Sequence, residues 1–262
     1  MSSRDKTVRC IAEAIYRARN EAQVVTSPSS AAGGGLADVT SAYRVQQELD
    51  AITFAAGERP AGYKIGLTSP SSQAAFGADG PVRGTLSRSM VLGTEAVLDH
   101  GQFVAPRIEA EIAFVFGRPI RGAAVSQDEL EEAVVAVAPA LEVVDSRVDG
   151  WAATAVDIVA DAGAAAAAVL GDRVPLEPGM ALPERCVLHH GERTTEGTSA
   201  AVEGGPWGAL GWLVRHLAAH GRGIEPGDVI MSGTWTVPSA IERGTVVQAD
   251  FGALGTVRAS FA

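Results

Sequence analysis

Apolar residues recur at helical spacing at the start of the chain. Val8, Ile11, Ala12 and Ile15 fall three or four positions apart and predict an opening helix. Residues 27–37, SPSSAAGGGLA, predict a flexible loop. A second helix is predicted from near Thr40, with Ala42, Val45, Leu49 and Ile52 on its buried face, and residues 57–60 end it. Beyond Gly62 the pattern shortens to strand-sized runs between Gly and Pro turns. Residues 108–116, IEAEIAFVF, read as a strand, and so do residues 141–144. Ser126 followed by Glu129 is a capping box and predicts a helix through about Val137. Pro206 predicts a helix through about Ala219, with Leu210, Leu213, Val214 and Leu217 as its apolar stripe. Strand-like runs at 229–232, 246–251 and 256–261 close the chain. No internal repeat is found, and the alanine-rich piece 162–168 is short. The pattern predicts a helical N-terminal region, residues 1–60, on a larger mixed, strand-rich region, residues 61–262, with one continuous domain as the alternative.

Composition narrows the partners. The chain has 262 residues, enough for one large domain or a core with a helical extension. Hydrophobic residues make up 47% and charged residues 20%, the balance of an ordinary globular protein. A net charge of -10 disfavours nucleic acid and anionic membrane as partners. A small anionic substrate fits only if a local cation offsets that field. No charge-free apolar run reaches about 20 residues, so no membrane span is expected. The charged, amphipathic N-terminus does not read as a secretion signal. Cys10 and Cys186 are far apart and form no CxxC pattern, which points to the cytoplasm and to no disulfide framework. Of 21 basic residues only Lys6 and Lys64 are lysines. Lysine, unlike arginine, can exchange protons once burial moves its pKa, which raises Lys64 as a candidate.

Three features could carry chemistry. In the pair Glu109-x-Glu111, a strand would place both carboxylates on one face, with Arg107 next along and with Ile108, Ala110, Ile112 and Phe114 on the apolar side. Carboxylates about 4 Å apart repel by roughly 4 kcal/mol at an effective dielectric near 20. A bound Mg²⁺ or Mn²⁺ would reverse that sign, whereas the plain alternative is a polar strand face in water. The second feature is Glu142, which interrupts the apolar run ALEVV; a buried carboxylate needs a partner, and Arg107 or Arg147 could supply one instead of a metal. The third is Gly62-Tyr-Lys64-Ile-Gly66-Leu-Thr68-Ser69, whose glycines permit close backbone approach and whose hydroxyls could bind a ligand; the alternative is a surface lysine in a turn.

Together these features resemble a known family. GYKIGLTS, PRIEAEIAFVF, PALEVVDSR, VDIVADAG and PGDVIMSGT are similar, in order from about Thr40 to Phe261, to the motifs of 2-keto-4-pentenoate hydratases and 4-oxalocrotonate decarboxylases of the fumarylacetoacetate hydrolase superfamily. The resemblance implies an α+β fold, with the helical N-terminal part on a mixed, curled, barrel-like sheet. It implies that Glu109, Glu111 and Glu142 bind Mg²⁺ or Mn²⁺. Lys64 and Asp161 are then the catalytic groups, and Leu67, Thr68, Ser69, Val82, Arg83 and Thr234 contact the substrate. That substrate would be a small anionic 2-oxo acid or its 2-hydroxydienoate tautomer, and the enzyme a homo-oligomer with the dimer as a building block.

The chain also departs from the family pattern. Where hydratases carry an acid in P-D-Y/F-G, this chain reads Pro81-Val82-Arg83-Gly84, and Val82 resembles the decarboxylases. V-A-D-N-A-S becomes Val159-Ala160-Asp161-Ala162-Gly163-Ala164, and G-H-P becomes Gly204-Gly205-Pro206. These losses of polar groups imply a different or more apolar substrate, with Trp207 and Trp235 as wall candidates. The leading expectation is a metal-dependent hydratase-like lyase. Its alternatives are a decarboxylase of a 4-oxalocrotonate-type diacid, a tautomerase or C–C hydrolase, and an inactive 2-oxo-acid-binding protein. No histidine lies between Lys64 and His100 to activate water, which disfavours hydrolysis.

Overall fold

The computed structural model describes residues 3–30, 35–148, 151–177 and 179–262. Helix α1 (Ser3–Glu21) and helix α2 (Val39–Ala55) form the N-terminal layer. Residues 31–34 of the expected loop lie outside the described residues. α2 starts on a capping box in which Asp38 accepts the Ser41 N–H at 2.7 Å, a contact worth about 1 kcal/mol. Its stripe of Ala42, Val45 and Leu49 is buried with Val8, Ala12 and Ile15 of α1, in a cluster that reaches Val82 and Ile158.

The chain then alternates short elements. Strand β1 (Pro60–Gly66), helix α3 (Pro70–Phe76) and strands β2 (Val82–Ser87), β3 (Val91–Gly93) and β4 (Ala96–Leu98) lead to the long strand β5 (Pro106–Phe116). Helix α4 (Gln127–Ala133) precedes β6 (Val134–Asp145). Helix α5 (Ala155–Ala160) leads to β7 (Ala165–Leu170), β8 (Val174–Pro175), β9 (Arg185–His190) and β10 (Arg193–Thr198). Helix α6 (Gly205–Ala219), β11 (Val229–Met231), β12 (Ser239–Ala240), β13 (Val246–Asp250) and β14 (Thr256–Phe261) complete the order.

The main sheet runs β2-β1-β11-β5-β6-β7-β3, with β12 on β5 and β8 on β6, and it curls as a half-barrel. A second sheet runs β10-β9-β13-β14-β4. Ile108, Ile112, Phe114 and Leu141 face the main core together with Leu210, Leu213 and Leu217 of α6; each such side chain contributes about 1.5–3 kcal/mol on burial.

The helix expected to run from Ser126 to about Val137 stops at Ala133. Its capping box forms as read, but Val134 turns extended and pairs with Phe116. The β-branched residues Val134, Val135 and Val137 favour a strand, and β5 offers them a ladder. The strand expected at 141–144 therefore begins at Val134.

Candidate active site

The alternation along β5 and β6 builds the centre. Glu109 pairs directly across from Glu142, and Glu111 follows two residues along the same face of β5. The three carboxylates each bring an oxygen within 4.8 Å of the others. Small residues beside them, Ala113, Ala140 and Ala168, leave room on this face of the half-barrel. The alanine-rich stretch, which looked like mere low complexity, supplies part of that floor.

Lys64 enters from β1. The curl brings its Nζ to 3.2 Å from Glu142 Oε1. Lys64 is 2% exposed and Glu111 and Glu142 are fully buried. The polar-face-in-water alternative for the glutamates and the surface-turn alternative for Lys64 therefore both fall. Glu142 takes its cation from β1, while Arg147 pairs with Asp161 at 3.4 Å and Arg107 lies 4.5 Å from the ring centre of Trp151.

Backbone turns hold the surroundings. Leu67, just past Gly66, has a left-handed backbone (φ 53) that turns the chain toward Thr68 and Ser69; for a leucine this costs roughly 1–2 kcal/mol. Gly233 follows β11 with φ 98 and donates its N–H to Glu111 Oε2 at 2.7 Å. A Cβ there would meet Thr68 at 2.5 Å, so the close approach requires glycine. Residues 162–164 form a left-handed turn, with φ of 52 at Ala162 and 58 at Ala164. This turn packs on the lysine stem, since a Cβ on Gly163 would lie 2.9 Å from Lys64 Cδ.

The electrostatics ask for a cation. Burial, and then the neighbouring carboxylates, hold the Glu111 carboxyl well above its ordinary value. Burial also raises Glu142, against the pull of Lys64, and pushes Glu109 up to about 7. Burial acts to lower Lys64, but the three carboxylates together outweigh it and hold the ammonium above its ordinary value. Glu111 Oε1 and Glu142 Oε2 are buried without a hydrogen-bond partner among the described residues. One ammonium against three carboxylates, with orphaned oxygens converging, fits an oxygen-ligand divalent ion such as Mg²⁺ or Mn²⁺.

A cavity of about 470 Å³ opens on this centre. Lys64, Glu109, Leu67, Thr68, Ser69 and Thr234 line it. Trp235 lines it too, whereas Trp207 packs, tilted, against Phe114 at the edge of the core, 4.6 Å between ring centres. Phe76, Trp151 and Ile158 complete an apolar wall that the sequence reading did not single out. Nothing local marks them, since they come from separate segments.

Three expected residues are placed elsewhere. Arg83 points to the opposite face of β2, where its guanidinium donates to Gln46 and lies 5.0 Å from the ring centre of Tyr43. Val82 is on the Lys64 side, paired with Gly66, but is buried behind the wall with Ile158 and Ala162 and does not line the cavity. Asp161 is buried against Arg147, accepting its backbone N–H at 3.0 Å, so it holds the turn at 162–164 and does not face the cavity.

Comparison with known proteins bears on this centre. The family model described as fumarylacetoacetate (FAA) hydrolase C-terminal matches residues 76–262. The 2-keto-4-pentenoate hydratase of Burkholderia vietnamiensis is 32% identical over 262 residues, covering 99% of each chain. That of Paraburkholderia xenovorans is 34% identical over 227 residues, covering 86% of this chain and 84% of the relative. The solved 4-oxalocrotonate decarboxylase from Pseudomonas putida G7, complexed with magnesium and adipate, superposes with a TM-score of 0.92 at 27% identity, covering 100% of this chain and 99% of that one.

Proposed function

The chain belongs to the fumarylacetoacetate (FAA) hydrolase C-terminal family, and on that premise we propose that it is a divalent-metal-dependent lyase acting on a small 2-oxo acid or its 2-hydroxydienoate tautomer. The observation that carries this reading is the buried cluster of Glu109, Glu111 and Glu142 with Lys64 at the floor of a cavity. The magnesium of the solved decarboxylase supports Mg²⁺ here, with Mn²⁺ as the substitute.

Glu109, Glu111 and Glu142 would hold the ion, which supplies a Lewis acid for negative charge developing on the substrate's 2-oxygen. Lys64 moves the proton. With three carboxylates around it, it rests as an ammonium and can donate to the enolate carbon. A divalent ion held there would offset two of the three carboxylate charges, so burial would weigh more on Lys64 and favour the neutral amine that can take a proton back. Thr68, Ser69 and Thr234 offer hydroxyls that orient the acid, while Leu67 and Trp235 exclude water. Asp161 acts as a positioning residue, through Arg147 and the turn on the lysine stem.

The hydratase-like reading rests on the curated relatives. Decarboxylation of a 4-oxalocrotonate-type diacid is the second reading. Val82 does not line the cavity but stands beside Lys64, since a Cβ on Gly66 would lie 3.5 Å from Val82 Cγ2 and 3.3 Å from Lys64 Nζ, and it offers no carboxyl there to activate a water. Turnover assays with Mg²⁺ on 2-hydroxypenta-2,4-dienoate and on 4-oxalocrotonate separate the two, and failure on both would refute the lyase.

No helix among the described residues is long and apolar enough to cross a membrane. The free, widely separated Cys10 and Cys186 support a cytoplasmic setting, and the family likeness supports a homo-oligomer built from dimers. The cluster shared by α1, α2, Val82 and Ile158 supports a helical region, residues 1–60, that closes one side of the catalytic region, residues 61–262.

A further inference from the structure

Strand β2 is an edge of the main sheet. Alternate residues of a strand turn their N–H and C=O to opposite sides, and an edge strand leaves one such set without a ladder. Arg83 carries that open set, and helix α2 fills it. The Arg83 N–H donates to the Tyr43 hydroxyl at 3.2 Å, and the Arg83 carbonyl accepts from Gln46 Nε2 at 3.0 Å. Gln46 Nε2 also donates to the Val159 carbonyl, in the last turn of α5, at 2.9 Å. Gln46 Oε1 accepts from the Arg83 guanidinium. Carbonyls only accept and a guanidinium only donates, so the amide fits in one orientation. Gln46 is 0% exposed, and burial strengthens each of these bonds.

The segments that Gln46 joins are the ones that confine Lys64. Gly84, next after Arg83, pairs with Lys64 across β1 and β2. A Cβ on Gly84 would lie 3.1 Å from Lys64 Cδ and would also meet the Ala162 carbonyl. On the other side α5 ends one residue past Val159, and the turn at 162–164 packs Gly163 on the same lysine stem. One buried amide on α2 therefore sets the spacing of the two backbone segments around the stem.

We propose that Gln46 is a positioning residue for the reaction, which fixes Lys64 by tying the edge of β2 to the end of α5. This rests on the reading above, in which Lys64 moves the proton. Without the amide the two segments lose their common anchor, and Nζ loses its fixed place beside Glu142. A misplacement of about 1 Å can cost about a hundredfold in rate. Thr68, Ser69 and Thr234, which would orient the acid, lie on other segments, so binding of substrate should change little.

The test compares the wild type with Q46M, which keeps the bulk of the side chain and removes both N–H donors. Turnover is measured with Mg²⁺ on 2-hydroxypenta-2,4-dienoate and 4-oxalocrotonate. On the substrate that the wild type converts, Q46M should lower kcat by about tenfold to a hundredfold and change KM by less than about threefold. The lysine is also read directly, by carbon-13 NMR of lysine-labelled, metal-free protein. Lys6 and Lys64 are the only lysines, and Lys6 is exposed, so Lys6→Arg assigns the two Cε signals. Lys64 should give one narrow signal in the wild type, and in Q46M a split signal or one displaced toward that of Lys6. If thermal melting shows that Q46M does not fold, Y43F, which releases one hold on the same edge, should show the same pattern at smaller size. A folded variant with the kcat of the wild type, whatever its Tm, would overturn the proposal. A loss of kcat with an unmoved Lys64 signal would do the same, and both results leave the reading of Lys64 standing. Full kcat in Lys64→Arg, or a wild type inactive on both substrates, would overturn that reading and the proposal with it.

Discussion

Lys64 Nζ and Glu142 Oε1 lie 3.2 Å apart, joining β1 to β6 across the curl of the half-barrel, with β11 and β5 between them in the sheet; both side chains are 3% exposed or less. The pair couples the proton-transfer group to the carboxylate cluster.

Replacing Lys64 by Arg tests what the lysine does. The charge beside Glu142 is kept, but arginine does not deprotonate near neutral pH. Loss of proton transfer is expected to lower kcat by about 10²–10⁴, with a smaller change in KM. Near-normal kcat in Lys64→Arg would assign Lys64 to binding alone.

The metal-free protein should lose stability as pH rises. Glu109, at about 7, sits above its ordinary value of 4.5, and Glu111 is also raised. The folded state therefore binds more protons than the unfolded state between those values, and stability falls as pH climbs through that window. A cation replaces those protons, so the Mg²⁺-induced rise in Tm should grow from pH 5 to pH 8. Thermal melts with and without Mg²⁺ across that range check the slope; a rise that is flat or shrinks with pH would contradict the cluster as drawn.

How much of this was legible is clearest at the glutamates. Period two along IEAEIAFVF put Glu109 and Glu111 on one face, and that needs only local geometry. Their burial depends on β6 and on the curl that delivers β1, contacts far apart in sequence, so solvent exposure stayed open until the fold was seen. The same limit hid the partner of Glu142, which the sequence offered to Arg107 or Arg147. Arg83 shows a different failure. Val82 and Arg83 were both expected to contact the substrate, yet they open strand β2, where neighbours point to opposite faces. α4 starts where its cap was read but ends early, because the ladder along β5 takes Val134 into a strand.

Val82→Asp probes the missing acid. Gly66 pairs with Val82 across β1 and β2, so a carboxyl at residue 82 would lie on the Lys64 side of the sheet. Hydration of 2-hydroxypenta-2,4-dienoate should rise, or acquire a new pH dependence near the acid's pKa. Burying that carboxyl should also lower Tm, by about 1–3 kcal/mol of stability. Efficient hydration by the wild type would show that another group handles the water, and would remove the case for decarboxylation.

The central claim is that Glu109, Glu111 and Glu142 form a metal site on which turnover depends. Its most direct test is the turnover of the EDTA-treated protein on 2-hydroxypenta-2,4-dienoate and 4-oxalocrotonate, before and after Mg²⁺ is restored, beside Glu109→Gln and Glu142→Gln. The account predicts activity on one of the two substrates that vanishes with EDTA and returns with Mg²⁺. Each variant should fall by at least about a hundredfold, near 2.7 kcal/mol of barrier, while its far-ultraviolet circular dichroism stays that of the wild type. Activity that survives EDTA, or a folded Glu142→Gln variant that turns over normally, would contradict it.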